Sequence, residues 1–260
     1  MRRPTSRDRL IVALDFAAAA PAVAVAKRLR GLVRTVKVGS ALFTACGPAV
    51  IRQLRSLGFH VMLDLKFLDI PSTVELSCRC AVHHRVSMLT IHASAEPAML
   101  EAAVHGVRAE AARLGIRRPL VLGVTVLTSV PAPPTRLSLP PGRAALLRGG
   151  PGRPQGAKRL TPRVTALAHA ALEAGCDGVV ASAQEAASLR RRFGRRLRIV
   201  CPGIRPAEGR THDQQRVCTP GEALARGADA LVIGRPITAA RDPRAVVQRI
   251  LNEMEAGARC

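Results

Sequence analysis

Short apolar runs, many of them β-branched, alternate along the chain with longer stretches rich in Ala, Leu and Arg. The runs predict strands at Leu10–Leu14, Thr35–Val38, His60–Leu65, Met88–His92, Leu120–Leu127, Gly178–Ala181, Arg198–Val200 and Ala230–Ile233. The stretches between them predict helices near 17–31, 42–57, 71–85, 96–114, 161–175, 184–194, 220–226 and 242–256. Strands that alternate with helices imply βαβ units and a parallel sheet, and strands apolar on both faces fit a sheet covered on both sides. Eight such units in 260 residues suit a single α/β domain closed into a (β/α)8 TIM barrel. Periodicity alone does not separate that barrel from an open doubly wound sheet. The rhythm breaks at residues 131–160, where Pro131, Pro133, Pro134, Pro140, Pro141, Gly149, Gly150, Gly152 and Pro154 predict a long loop after the fifth strand. A loop of that length is either a cover over the site or a plain insertion.

Polar residues collect at the C-terminal ends of the predicted strands, where barrel enzymes place their chemistry. Asp15 follows the first strand, Lys37 lies in the second, and Asp64 and Lys66 end the third. His92 and Ser94 end the fourth, Thr125 and Thr128 the fifth, while Arg205 and Arg235 follow the seventh and eighth. Side chains two apart on a strand share a face, so Asp64 and Lys66 enter the barrel mouth together or not at all. Asp69 comes three residues later, and Ile70-Pro71 opens a helix with proline where a first turn tolerates it. Glycines and arginine in Pro202-Gly203-Ile204-Arg205-Pro206 and Gly234-Arg235-Pro236 suit a phosphate, with backbone N–H groups close by and guanidinium forks. Loops after the last two strands are the usual phosphate site of such barrels.

Composition sharpens one of these readings. The net charge is +22, yet only four of the 40 basic residues are lysines: Lys27, Lys37, Lys66 and Lys158. Two of the four sit at strand ends beside carboxylates. Arginine keeps its proton near neutral pH, whereas a lysine ammonium can give one up, so a lysine among aspartates is a candidate proton donor. The arginines are scattered, dense only at Arg190–Arg192 with Arg195, Arg196 and Arg198, and aromatic residues make up 2%. That argues for a solvated basic surface that attracts a small polyanion, not for a nucleic-acid face.

Seven cysteines form no CxxC pair and predict reduced thiols in the cytoplasm. Cys78, Cys80, His83 and His84 would not converge on a helix, so no metal site is expected there. Arg2, Arg3, Arg7 and Arg9 before an apolar run imitate a secretory signal, but Asp15 interrupts that run, which reads better as a strand and a helix. No stretch is long and apolar enough to span a membrane.

Val12-Ala13-Leu14-Asp15, Lys37-Val38-Gly39, the run Asp64 to Thr73, Thr90 to Ser94, Gly123 to Ser129, Cys201 to Pro206, Asp213-Gln214 and Val232 to Pro236 together resemble the bacterial orotidine 5'-phosphate decarboxylases. The resemblance spans nearly the whole chain and implies decarboxylation of orotidine 5'-monophosphate to UMP without cofactor or metal, in a homodimer. It implies that Lys37, Asp64, Lys66 and Asp69 form a charged tetrad, with Asp69 and Thr73 reaching the neighbour's site. Asp15 and Lys37 would bind the ribose side, Ile70 would contact the nucleotide, and Thr128 would lie near the pyrimidine. Gln214, Gly234 and Arg235 would hold the phosphate, and Arg205 would help order that loop. Leu68, Ser72 and Ala95-Glu96 depart from the usual family residues. The rivals are a magnesium-dependent sugar-phosphate enzyme sharing D-x-K-x-x-D, a basic nucleic-acid-binding protein, and a relative that binds UMP without turnover.

Overall fold

A computed structural model of the protein describes residues 4–127, 156–206 and 218–257. Eight strands, β1 (Leu10–Ala13), β2 (Thr35–Gly39), β3 (His60–Phe67), β4 (Met88–His92), β5 (Leu120–Val124), β6 (Gly178–Val180), β7 (Arg198–Cys201) and β8 (Ala230–Ile233), pair in parallel in chain order. β8 returns to β1, with Leu10 opposite Leu231 and Val12 opposite Ile233, so the sheet is a closed barrel. The open doubly wound alternative is thereby excluded.

Helices cover the outside: α1 (Ser6–Arg9), α2 (Ala19–Leu29), α3 (Ser40–Cys46), α4 (Ala49–Ser56), α5 (Pro71–His83), α6 (Pro97–Arg113), α7 (Gly156–Glu173), α8 (Ala183–Phe193), α9 (Pro220–Ala225), α10 (Arg235–Thr238) and α11 (Pro243–Gly257). The single helix predicted near 42–57 is two helices, because Gly47 takes a left-handed backbone (φ +57°) and Pro48 follows it. α7 begins at Gly156, so the end of the predicted 131–160 loop is helical, while residues 128–155 lie outside the described part. Two short helices, α1 and α10, have too few residues to carry a periodic pattern.

Two apolar layers account for strands that are hydrophobic on both faces. Leu10, Val12, Leu14, Val36, Val38, Val61 and Leu63 point outward into the core shared with the helices. Ile11, Ala13, Met62, Leu122, Val124, Val180, Val200 and Val232 fill the barrel interior. Each Val, Leu, Ile or Met side chain so removed from water stabilises the fold by roughly 1.5–3 kcal/mol. On β2 and β3 the inward row changes character towards the C-terminal end, with Lys37 opposite Met62 and Gly39 opposite Asp64. The apolar plug therefore ends in a charged layer at the mouth.

α5 starts where the sequence predicts, with Ile70 as N-cap and Pro71 in the first turn. Its buried face, Val74, Cys78, Ala81 and Val82, follows helical spacing and lies against α6 and the sheet. Among the described residues, no helix is long and apolar enough to cross a membrane.

Candidate active site

The barrel mouth encloses a cavity of about 360 Å³. Ala13, Met62, Val124, Val180 and Val232 from the interior layer form its floor. Asp15, Lys37, Asp64 and Lys66 line one side, and Gly203, Arg205, Gly234 and Arg235 another.

The charged side is one chain of contacts of alternating sign. Lys37 Nζ lies 2.9 Å from Asp15 Oδ1 and 3.3 Å from Asp64 Oδ2, and Lys66 Nζ lies 2.9 Å from Asp64 Oδ1. Asp64 is nearly enclosed, with its side chain 11% exposed, whereas that of Asp15 is 58% exposed. Burial favours the neutral acid at Asp64, but the Lys37 and Lys66 ammoniums and the hydrogen bonds from Lys66 and Thr90 outweigh it, and the carboxyl titrates below its usual value. Burial likewise opposes charge on Lys37, yet Asp64 and Asp15 raise its pKa above the ordinary lysine value. Burial and then the Lys66 charge lower the pKa of His92 at the end of β4. Asp64 is thus a carboxylate and Lys37 an ammonium across the neutral range.

Space for this network comes from a glycine. A Cβ at Gly39 would stand 3.1 Å from Lys37 Nζ and 3.3 Å from Asp15 Oδ1. A side chain there would crowd the Lys37–Asp15 pair.

Lys66 is held in an unusual way. β3 and β4 pair regularly at Leu63 opposite Leu89, and pairing resumes at Phe67 opposite Ile91. Lys66 has φ +52°, a left-handed conformation uncommon for a residue with a side chain. The expectation that Asp64 and Lys66 share a face holds in effect, since both line the cavity, but an irregular strand achieves it.

The phosphate-type loops close the other side. Gly203 has φ +77°, and Arg205 is buried. The loop is pinned at its base, where Ile204 bridges to Cys218 and the Arg205 N–H donates to the Cys218 carbonyl at 3.0 Å. At the second loop a Cβ on Gly234 would stand 3.3 Å from that of Ala13, so β1 and this turn approach closely.

Not every residue singled out from the sequence is in the cavity. Asp69, Ile70 and Thr73 are exposed and do not line it. Asp69 Oδ1 accepts the N–H of Ile70 at 2.6 Å, and Asp69 enters no ion pair among the described residues. Thr128 and Gln214 lie outside the described residues. Cys78, Cys80, His83 and His84 form no group able to hold a metal ion, and among the described residues nor does any other set of three or more His, Cys, Asp or Glu. Gly39 and Thr90 belong to the site and carry little signal of their own. A threonine is an ordinary strand residue, and only its place in the apolar run Met88-Leu89-Thr90-Ile91 marks it.

The model of the family described as "Orotidine 5'-phosphate decarboxylase / HUMPS family" matches residues 8–133 and 153–250. The chain belongs to this family. It is 45% identical over 251 residues to the orotidine 5'-phosphate decarboxylase of Syntrophotalea carbinolica, a match covering 96% of each chain. It is also 45% identical over 251 residues to that of Halorhodospira halophila, covering 95% of this chain and 96% of the other. A crystal structure of orotidine 5'-phosphate decarboxylase from Lactobacillus acidophilus superposes with a TM-score of 0.75 at 33% identity, covering 95% of this chain and 99% of that one. The protein is an enzyme of the decarboxylase branch, as the matched relatives are named.

Proposed function

We propose that this enzyme removes CO2 from orotidine 5'-monophosphate to give UMP, with Lys66 as the catalytic residue. The observation that carries the reading is the Lys66 ammonium in the mouth cavity, 2.9 Å from Asp64 and facing the Arg205 and Arg235 loops. Breaking the bond between C6 of the pyrimidine and its carboxylate leaves the electron pair on C6. A fixed ammonium beside that carbon stabilises the developing charge and then donates its proton to C6, which completes UMP. Asp64 stands beside the departing carboxylate and, with Lys37, keeps Lys66 aimed. Gly234 and Arg235, with Gln214, hold the phosphate, Arg205 orders the loop, and Asp15 and Lys37 take the ribose side. The resemblance assigns the base to Thr128, which lies outside the described residues. The step needs no cofactor in this reading, because the protein supplies both charge and proton.

The test follows orotidylate absorbance with purified enzyme. Turnover that is indifferent to EDTA, and that falls by at least about 10⁴-fold in Lys66→Ala, is the expected result. UMP formation at the wild-type rate by Lys66→Ala would end the assignment, and loss with EDTA would point to a metal-dependent sugar-phosphate relative.

The working unit in this reading is a cytoplasmic homodimer. Leu68 (58% exposed), Ile70 (63%) and Leu76 (62%) expose large apolar side chains on the segment that carries Asp69 and Thr73. Covering it with a second copy brings Asp69, Ile70 and Thr73 to the neighbour's mouth. Six free cysteines among the described residues suit a reducing compartment. Mixing Asp69→Ala with Lys66→Ala subunits should restore part of the activity through hybrid dimers, and no recovery after verified subunit exchange would refute a shared site.

A further inference from the structure

We propose that Thr90 is a positioning residue, whose buried hydroxyl fixes the main chain of Lys66 and the carboxylate of Asp64 to one another. The proposal rests on the reading that Lys66 acts on the substrate, and it adds what sets that lysine in place.

The argument begins with the strand irregularity. Between the pairs Leu63–Leu89 and Phe67–Ile91, three residues of β3 (Asp64, Leu65 and Lys66) lie against one residue of β4, Thr90. A bulge of this kind leaves backbone groups without ladder partners. The Lys66 N–H is one of them, and it donates to Thr90 Oγ1 at 3.0 Å. A hydroxyl has a single proton, so Thr90, having accepted from Lys66, is free to donate, and it does so to Asp64 Oδ1 at 3.0 Å. The same Oδ1 accepts from Lys66 Nζ at 2.9 Å.

These contacts close a ring. The backbone of Lys66 binds the hydroxyl, the hydroxyl binds the carboxylate, and the carboxylate binds the ammonium of the same lysine. Both ends of the lysine are therefore referenced to one oxygen atom. The left-handed backbone at Lys66, φ +52°, needs such a tie, because an ordinary residue persists in that region only where its surroundings over-determine it. Thr90 suits the task physically. It is 0% exposed, so water does not compete for its hydrogen bonds, and β-branching stiffens its χ1. It sits on a regular strand, rigid relative to the bulge it braces. Lys37, by contrast, holds the other oxygen of Asp64, at 3.3 Å, while the Lys66 N–H goes to Thr90.

The test compares full-length Thr90→Val, Thr90→Ser and Lys66→Ala enzymes. Valine keeps the shape and removes the hydroxyl, and serine restores it. Thr90→Val should lower kcat on the order of 100-fold, as expected when a reacting group is misplaced by a fraction of its reach. KM and affinity for UMP should stay within about threefold, since the phosphate and ribose contacts are untouched. Thr90→Ser should return kcat to within about threefold of wild type. Rates are expressed per UMP-binding site, so a variant that is merely less well folded loses sites without losing kcat. Wild-type kcat per site in Thr90→Val, with Lys66→Ala inactive, overturns the proposal and leaves the reading of Lys66 standing. An active Lys66→Ala overturns that reading itself. Should the valine variant not fold, Thr90→Ala replaces it: slow Ala with active Ser supports the tie, and Ser as slow as Ala refutes it.

Discussion

The two ends of this barrel both carry aspartates paired with cations, and they use them differently. At the N-terminal end Asp177, just before β6, takes both fork nitrogens of Arg118 at 2.7 Å and the N–H of Val121 on β5 at 2.9 Å. Asp229, just before β8, repeats the device on β7: it takes Arg190 at 2.6 Å and the N–H of Ile199 at 2.7 Å. Arg190 spends further donors on the carbonyls of Gly227 and Leu197. At the mouth, Asp64 accepts from two ammoniums and a threonine hydroxyl and, among the described residues, from no backbone N–H. Paired charge at the floor staples strand to strand. Paired charge at the mouth aims a titratable group into a cavity. The choice of cation separates the two: arginine, a fixed fork that keeps its proton, at the N-terminal end, and lysine, whose ammonium is able to give one up, at the mouth.

That contrast is open to attack at either end. The largest effect is expected from Lys66→Arg, which keeps the charge and forfeits the transferable proton. Orotidylate turnover should fall by at least about 10³-fold, and an active arginine variant would show that charge alone does the work at the mouth. At the floor, Asp177→Ala should leave kcat unchanged and destabilise the barrel by about 2 kcal/mol, because Arg118 and the Val121 N–H both lose their acceptor. Urea denaturation measures that loss. A fall in turnover without a fall in stability would erase the division between the two ends.

Much of this architecture is legible in the residues. Apolar runs located all eight strands, and Met88–His92 and Ala230–Ile233 have the predicted bounds. Pro71 marked the start of α5. Strand periodicity put Asp64 and Lys66 on one face, and arginine-rich composition made their lysine identity informative. Closure of the sheet was readable from the count of eight units and not from periodicity, because an inner strand of an open sheet and a strand of a barrel bury the same faces. Nor was the bulge in β3: a period-2 pattern assumes regular pairing, and the irregularity depends on what β4 offers opposite it. Asp69, which the resemblance sends to the neighbour's site, is exposed at the head of α5 and outside its own chain's cavity, and strand periodicity does not reach that far. Thr90 entered only as part of a matching stretch and received no role, because what sets it apart is two hydrogen bonds, and a β-branched residue in a strand needs no special explanation.

Gly39 gives the site a component made of empty volume. A methyl there would press on the ammonium of Lys37 and on Asp15, which would have to give by a few tenths of an ångström. Alanine scanning treats alanine as the blank substituent, and at this position the convention inverts: adding one carbon is the perturbation, felt through a neighbour's charge. Surveys that rank residues by what their side chains touch will pass over it.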